Sequence, residues 1–195
     1  MPRIHRITPS YSHNVGIKSN YGNYKSYLQN DFNKSCGYCS TPDFIWGGKV
    51  SFQIDHFAPK KQFPDQKEIY VNLVYSCPIC NRGKSNFWPS NSHEVSVVND
   101  EGFIHPCTSA YDEHLYRSDN GEIKYKSDVG FYMYQKMKFG LKRHSIIWLV
   151  EELRSLIEEV KLLLDDSVEL KSKYLELCAE YYEYNEVFRS MIDDR

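Results

Sequence analysis

The sequence predicts an α+β protein, in which a small core of strands and one short helix is held together by four cysteines and flanked by further helices. Three observations lead to this fold class. Two identical Cys-x-x-Cys pairs stand 37 residues apart, β-rich runs lie between them, and apolar residues recur at helical spacing from residue 131 onward. A chain of 195 residues can bury one core and carry an appendage.

Residues 1–35 are predicted to form a basic arm followed by a helix. The arm is irregular, with Pro and Gly, and its basic residues include Arg3, Arg6 and Lys18. We expect the arm either to follow a phosphate backbone or to be a flexible start of the chain. Over residues 20–33, large side chains recur at every fourth position and predict a helix: Tyr24, Leu28 and Phe32.

Four paired cysteines predict a structural zinc site. They are Cys36, Cys39, Cys77 and Cys80. Two residues between thiolates allow both sulfurs to reach one ion from a tight turn, for which Gly37 and Pro78 are suited. In a cytosolic chain such pairs hold zinc more often than they form disulfides. The alternatives are redox-active dithiols or buried free thiols.

The stretch between the cysteine pairs is predicted to contain β-strands. Two β-rich runs flank Gly47-Gly48 and predict a β-hairpin with a tight glycine turn, whose second strand ends at Asp55-His56. A loop and a segment with Asn72 lead to the second pair, where a short helix begins and stops before Pro89. Residues 36–90 are thus predicted to form a ββα unit held by zinc.

The order of these motifs resembles the HNH (ββα-metal) endonuclease family. The residues that carry the resemblance are Cys36, Cys39, Asp55, His56, Asn72, Leu73, Cys77, Cys80, Asn81 and Lys84. It covers residues 36–90, and it implies a zinc-stapled ββα-metal core that hydrolyses phosphodiester bonds. Without the resemblance, Asp55 could cap the strand end, His56 could be a hydrogen-bonded surface histidine, and Asn81 could merely begin a helix.

The resemblance also implies a role for each catalytic candidate. His56 would be the general base, because a neutral imidazole can accept a proton from water. Asp55 and Asn81 would bind a catalytic Mg²⁺ or Mn²⁺ through oxygen. Many family members have a histidine where this chain has Asn81, and an oxygen ligand there favours Mg²⁺ over Zn²⁺. Asn72 would orient the segment that bears the histidine, and Lys84 would face the phosphates.

Charge supports a nucleic acid as the partner. Residues 1–84 contain 11 basic residues (Lys or Arg) and 5 acidic residues (Asp or Glu). The rest of the chain contains 13 basic and 21 acidic residues. A basic half suits a polyanion, although the same charges could simply be solvated surface. The candidate nucleic-acid-binding residues are Lys60, Lys61, Arg82 and Lys84. We expect DNA as the substrate rather than RNA.

Residues 91–130 are predicted to be a loop-rich extension with a hairpin at Asp119-Asn120-Gly121. We interpret His105, Cys107 and His114 as ordinary hydrogen-bonded or buried side chains, because their spacing is irregular. This region is similar to the segment that follows the core in the Septu-type anti-phage HNH nucleases. The similarity implies a role in bacterial defence, as the effector of a complex that contains an ATPase.

Residues 131–195 are predicted to form an αα-hairpin broken at Asp165-Asp166-Ser167. The first helix would carry a broad apolar stripe, comprising Ile146, Ile147, Leu149, Val150, Leu153, Leu156, Ile157, Val160, Leu163 and Leu164. From residue 145 on, the chain contains 13 acidic and 6 basic residues, and this net negative charge repels DNA. These helices either pack on the core or dock a partner, such as an ATPase or a second copy.

Neither a membrane nor a secretory route is expected. The N-terminus lacks an apolar signal segment, and no stretch approaches the roughly 18 uncharged apolar residues that span a bilayer. We therefore expect a cytoplasmic protein. Three functions remain: a metal-dependent DNA endonuclease, a nucleic-acid-binding module without turnover, and a protein-interaction adaptor in which zinc only holds the fold.

Overall fold

The structure is a computed structural model that describes residues 2–164 and 167–193, with the backbone alone for 192 and 193. It divides into two compact units. The first comprises the chain up to residue 119 together with 123–140, and the second comprises 120–122 and the chain from 141 onward. Helices and small sheets occur together, so the α+β class is confirmed. The division into four segments stays a prediction.

Short strands and helices alternate along the chain. The helices are α1 (Lys25–Asp31), α2 (Pro78–Lys84), α3 (Tyr111–His114), α4 (Asp128–Lys136), α5 (Lys142–Leu162) and α6 (Val168–Asp193). The strands are β1 (Gln53–His56), β2 (Leu73–Ser76), β3 (Val97–Val98), β4 (Glu101–Gly102), β5 (Leu115–Arg117) and β6 (Ile123–Tyr125). They form three antiparallel pairs, β1 with β2, β3 with β4, and β5 with β6.

The predicted ββα unit is built from β1, β2 and α2. Asp55 pairs with Val74 and His56 with Leu73, so the catalytic candidates lie at the last two positions of β1. All four residues of β2 are buried, which makes this strand the centre of the first unit's core. The chain passes from β2 through the second cysteine pair directly into α2.

The hairpin predicted at Gly47-Gly48 is wrong. Both glycines have positive φ, +91° and +80°, but they join two 3-10 turns, Asp43–Trp46 and Gly48–Val50, rather than two strands. Val50 is 86% exposed and lies outside the strand, which begins only at Gln53. The glycine turn satisfies local preferences, but the fully buried β2 offers β1 more apolar contact than the segment before the turn.

The N-terminal arm packs on the core of the first unit. Ile4 is buried, and the Pro2 carbonyl accepts a 2.9 Å hydrogen bond from the Arg117 N–H. Ser12 Oγ donates to the buried Asp31. The predicted helix over 20–33 is present as a 3-10 turn, Tyr21–Tyr24, that continues into α1.

The second hairpin prediction is confirmed, since β5 and β6 pair around Asp119-Asn120-Gly121. In the second unit, α5 and α6 pack against each other as the predicted αα-hairpin. The Ser167 side chain caps α6 by accepting a 3.3 Å hydrogen bond from Leu170 N–H, whereas Asp165 and Asp166 lie outside the described residues. Within the described chain, none of the helices combines the length and hydrophobicity that crossing a lipid bilayer requires.

The predicted apolar stripe on α5 is buried only in its first half. Four of its members are buried: Ile146, Ile147, Val150 and Leu153. Leu156 is 44% exposed, and Leu163, just beyond the helix, is 66% exposed. The apolar surface at the far end of α5 is therefore not covered within the described chain.

Candidate functional site

The four paired cysteines meet in one buried cluster. Their sulfur atoms all lie within 4.8 Å of one another, and Cys39 Sγ is 3.9 Å from Cys77 Sγ. A zinc ion with four Zn–S bonds of about 2.3 Å holds its sulfurs about 3.8 Å apart. The cluster thus has the size and the thiol chemistry that a four-cysteine zinc site requires.

Main-chain groups favour charge on these sulfurs, whereas burial opposes it. Cys77 N–H points at Cys36 Sγ at 3.3 Å, and Cys80 N–H points at Cys77 Sγ at 3.4 Å. Burial raises the pKa of the Cys80 thiol well above its ordinary value. A cation among the sulfurs would allow all four to ionise together.

The turn of the first pair depends on Gly37. A Cβ atom at this position would lie 2.6 Å from Phe32 Cε1 and 2.7 Å from Val74 Cγ1, so no larger residue fits. Gly37 N–H also donates a 2.8 Å hydrogen bond to the Tyr75 carbonyl of β2. The first pair is therefore held closely against the end of α1 and against β2.

Two side chains from the extension support the same turn. Arg117, which is 1% exposed, donates from Nη2 to the Cys39 carbonyl at 2.7 Å. The Tyr111 hydroxyl donates to the Tyr38 carbonyl at 2.7 Å. Sequence reasoning missed both residues, although Arg117 shares the inward face of β5 with Leu115, an unusual place for a charge.

A cleft of about 340 Å³ lies between the end of β1 and the second half of α2. Five predicted site residues line it: Asp55, His56, Lys60, Asn81 and Arg82. Its remaining walls come from Ile54, Pro59, Ser85 and Asn86. The fold therefore brings an acid, an imidazole, an amide and two cations to one opening.

Asp55 is 6% exposed, and two side chains approach one of its carboxylate oxygens. The Tyr38 hydroxyl donates to Oδ2 at 2.5 Å, and Lys84 Nζ lies 3.4 Å from the same atom. Burial raises the pKa of the Asp55 carboxyl, while Lys84 and the Tyr38 hydroxyl act in the opposite direction. A backbone N–H of His56 also favours the charged carboxyl, and Asp55 lines the cleft, where its carboxylate could bind a cation.

The His56 ring is oriented by the loop between β1 and β2. Nε2 lies 3.0 Å from the Lys67 carbonyl, which can only accept, so Nε2 carries the proton and Nδ1 is the basic nitrogen. Burial, followed by the charge of Lys60, lowers the pKa of His56 to about 4. The imidazole is therefore neutral at pH 7 and able to accept a proton.

An aromatic side chain covers one side of this imidazole. The Tyr21 ring stands edge-on to His56, with centroids 4.7 Å apart. Lys60 Nζ lies 4.4 Å from the Tyr21 ring centroid and donates to its hydroxyl at 2.9 Å. Tyr21 thus links the histidine to a lysine at the cleft entrance.

Asn72 is buried behind the cleft and ties the loop together. Its Oδ1 accepts a 2.8 Å hydrogen bond from Ala58 N–H, and its Nδ2 donates to the carbonyls of Ala58 and Gln66 at 3.0 Å each. Gln66 is directly followed by Lys67, whose carbonyl orients His56. The contacts have the form expected of a residue that orients the histidine segment.

Asn81 lies on α2 with its amide nitrogen engaged. Nδ2 donates to Gln53 Oε1 of β1. This assignment leaves Oδ1 as the atom through which Asn81 could bind a cation. Gln53 was not predicted, although it shares a face of β1 with Asp55 two positions on.

Comparison with known proteins agrees with this geometry. Residues 36–87 match the family model described as HNH endonuclease. The chain carries an HNH domain. The matched segment contains both cysteine pairs, Asn72 and most of the residues that line the cleft. It is nearly the same segment, 36–90, that the order of the motifs indicates.

Two curated Septu proteins of Bacillus mycoides (strain KBAB4) resemble more of the chain than the HNH domain alone. Septu protein PtuB is 30% identical over an alignment of 123 residues, and the match covers 52% of this chain and 41% of PtuB. Septu protein PtuA is 26% identical over an alignment of 129 residues, and the match covers 54% of this chain and 17% of PtuA. The matched part therefore spans less than half of either relative. No solved structure matches the chain significantly.

Lys84 does not lie where it was predicted. It is fully buried beneath the HNH cleft, where Nζ donates to the His56 carbonyl at 3.0 Å and pairs with Asp55. The reason is helical spacing: Lys84 follows Cys80 by four residues, so it shares the face of α2 that the cysteine cluster holds inward. A side chain there cannot face a phosphate in solution.

The other predicted cations of the HNH domain are at the surface. Lys60 and Arg82 are exposed and line the cleft, and Arg82 Nε also donates to the Pro78 carbonyl at 3.2 Å. Lys61 is exposed on the turn that follows, next to the cleft rather than in its wall.

Proposed function

We propose that this chain is a metal-dependent endonuclease that hydrolyses phosphodiester bonds of DNA. The observation that carries the proposal is the convergence of Asp55, His56 and Asn81 on one cleft within the segment that matches the HNH endonuclease model. Each of the three offers an atom suited to its role, namely a carboxylate oxygen, a basic ring nitrogen and an amide oxygen.

His56 acts as the general base. Its Nδ1 accepts a proton from the attacking water, while Nε2 keeps its proton on the Lys67 carbonyl. The carbonyl also stabilises the imidazolium that forms, because it accepts a hydrogen bond from the positive ring. Asn72 keeps this loop in place through its bonds to Ala58 and Gln66.

Asp55 and Asn81 would hold the catalytic cation through side-chain oxygens. Two protein oxygens, with water and a phosphate oxygen, match the ligand set of Mg²⁺ or Mn²⁺. When bound, the cation stabilises negative charge on the phosphate and on the leaving oxygen. Lys60 and Arg82, at the cleft, attract the DNA backbone and position it against His56.

Incubation of the purified chain with supercoiled plasmid and Mg²⁺ tests the proposal. We expect cleavage by the wild-type protein, its loss on addition of excess EDTA, and at least about a 100-fold lower rate for His56→Ala. His93→Ala is the matched control, since His93 is an exposed histidine outside the cleft lining.

The result distinguishes the alternatives. A wild-type protein that binds labelled DNA in a salt-dependent manner but never cleaves it would be a binding module and would overturn the proposal. A protein that neither binds nor cleaves would be an adaptor. Equal rates for His56→Ala and His93→Ala would exclude His56 as the base.

The similarity to the Septu proteins supports a setting in bacterial anti-phage defence, with this chain as the nuclease effector of a larger complex. The same variant tests that setting. Cells that express the native locus should restrict phage plating, and His56→Ala should abolish the restriction while His93→Ala retains it. Restriction that survives His56→Ala would contradict an effector role for this nuclease.

A further inference from the structure

Tyr38 lies within the first cysteine pair and also contacts Asp55 at the cleft. It stands between Cys36 and Cys39 in the first cysteine pair, and its hydroxyl donates a 2.5 Å hydrogen bond to Asp55 Oδ2 at the cleft. The side chain is fully buried. One residue therefore connects the cysteine cluster to the carboxylate proposed to hold the catalytic cation.

The main chain around Tyr38 is fixed on both sides. Its own carbonyl accepts from the Tyr111 hydroxyl at 2.7 Å, and the Cys39 carbonyl accepts from Arg117 Nη2 at 2.7 Å. Gly37 N–H donates to the Tyr75 carbonyl at 2.8 Å. A buried ring on a backbone held at three successive residues has little freedom to move its hydroxyl.

The fixed Tyr38 hydroxyl in turn restricts the orientation of the Asp55 carboxylate. Tyr38 and Lys84 approach the same oxygen, Oδ2, and the carboxylate cannot rotate without breaking a contact with one of them. A carboxylate anchored by two side chains at one oxygen has little freedom to turn, so the direction in which it faces the cleft is fixed. Groups that hold a metal ligand in this way commonly change metal affinity by about 10- to 100-fold when removed.

We propose that Tyr38 is a positioning residue for Asp55, through which the cysteine cluster sets the affinity of the catalytic cation site. The inference rests on the proposed function, because it requires that Asp55 bind a divalent cation. It goes further in giving the cysteine cluster a part in cation binding, beyond holding the fold together.

Direct binding of Mn²⁺ to the full-length protein without DNA tests the inference. The dissociation constant is read from the electron paramagnetic resonance signal of free Mn²⁺, and Asp55→Asn identifies the site that depends on Asp55. We expect Tyr38→Phe to weaken that site by about 10-fold or more. Tyr75→Phe is the matched control, since this buried tyrosine donates at 2.8 Å to Asp43 rather than Asp55.

The outcomes separate the two proposals. If the wild-type protein cleaves DNA and binds Mn²⁺ through Asp55, but Tyr38→Phe and Tyr75→Phe bind equally well, the positioning role is wrong and the nuclease proposal stands. If Asp55→Asn leaves wild-type Mn²⁺ binding unchanged, the cation site and the positioning role both fail. Zinc content shows that the cysteine cluster is intact in each variant.

A second measurement avoids any loss of folding. Site-specific 3-fluorotyrosine at position 38 keeps the hydroxyl and its bond to Asp55. We expect the fluorine resonance to shift on Mg²⁺ titration with the dissociation constant of the Asp55-dependent site. A resonance that stays constant while that site fills would overturn the inference.

Discussion

A single buried amide, Asn72, connects both ends of the loop that links β1 to β2. Its three hydrogen bonds reach Ala58 just after the catalytic strand and Gln66 just before the carbonyl that orients His56. An amide can donate and accept at once, which an ionised carboxylate or an ammonium group cannot do. The residue fixes the loop whose Lys67 carbonyl contacts His56, and it does not line the cleft.

Histidines whose pKa is lowered in the folded protein make its stability depend on pH. His105 is enclosed with Tyr11 and Phe57, and burial, followed by the charge of Lys84, lowers its pKa to about 4. As the pH falls, His105 therefore becomes protonated in the unfolded chain before it does in the folded protein. Stability from neutral His105 is complete above pH 6.5 and decreases as the pH falls towards 4.

We expect His105 to account for about 2 kcal/mol of the stability lost between pH 8 and pH 5. Urea unfolding of wild-type protein and His105→Gln at both pH values measures this contribution. The variant should lose less stability than wild type, although some loss remains because His5 also has a pKa lowered to about 4. His93→Gln should keep the wild-type difference, and an equal loss in all three proteins would contradict the assignment.

At the level of elements, the junction of β1 and α2 builds the cleft. The strand brings Asp55 and His56 to its end, and the helix brings Asn81 to the opening and Lys84 beneath it. The second cysteine pair starts the helix, so the cysteine cluster fixes which face of α2 points inward. Lys84 is therefore buried beneath the cleft, whereas Lys60 lies exposed in its wall.

Matched substitutions separate the roles of these two lysines. Lys84→Met leaves the buried Asp55 charge without its partner and should lower the free energy of unfolding by about 3 kcal/mol or more. Lys60→Met, at the exposed rim, should change stability little but weaken DNA binding and reduce the salt slope of binding by about 1. Urea unfolding and DNA binding across a salt series measure both. A stable Lys84→Met protein would show that the buried pair is not structural.

For the whole molecule, the cysteine cluster joins distant parts of the first unit. It connects the turn after α1 with the start of α2, 41 positions apart from Cys36 to Cys77, and the extension adds Arg117 to the same place. All of the predicted catalytic and zinc-binding residues lie in this unit, and the acidic αα-hairpin carries none of them.

Loss of one cysteine of the cluster should therefore affect the whole first unit. Cys80→Ser is expected to abolish zinc binding and to lower the free energy of unfolding by about 3 kcal/mol or more, because metal binding and folding are coupled. Cys178→Ser on α6 is the control and should retain the zinc content of the wild-type protein. Zinc analysis with thermal unfolding checks both. A Cys80→Ser protein of unchanged stability would contradict a structural role for the cluster.

Local patterns in the sequence predicted the cysteine cluster, α1, α2, the αα-hairpin of α5 and α6, and the β5–β6 turn. These features depend on spacing along a short stretch, which the chain itself fixes. The resemblance to a known family named the residues that meet at the cleft. Only the tertiary structure decided that β1 pairs with β2 rather than across Gly47-Gly48, that Lys84 points inward, and that Tyr38 reaches Asp55. Strand partners and the direction of a helix face depend on which surfaces can be buried together, and this selection is made among residues far apart in sequence.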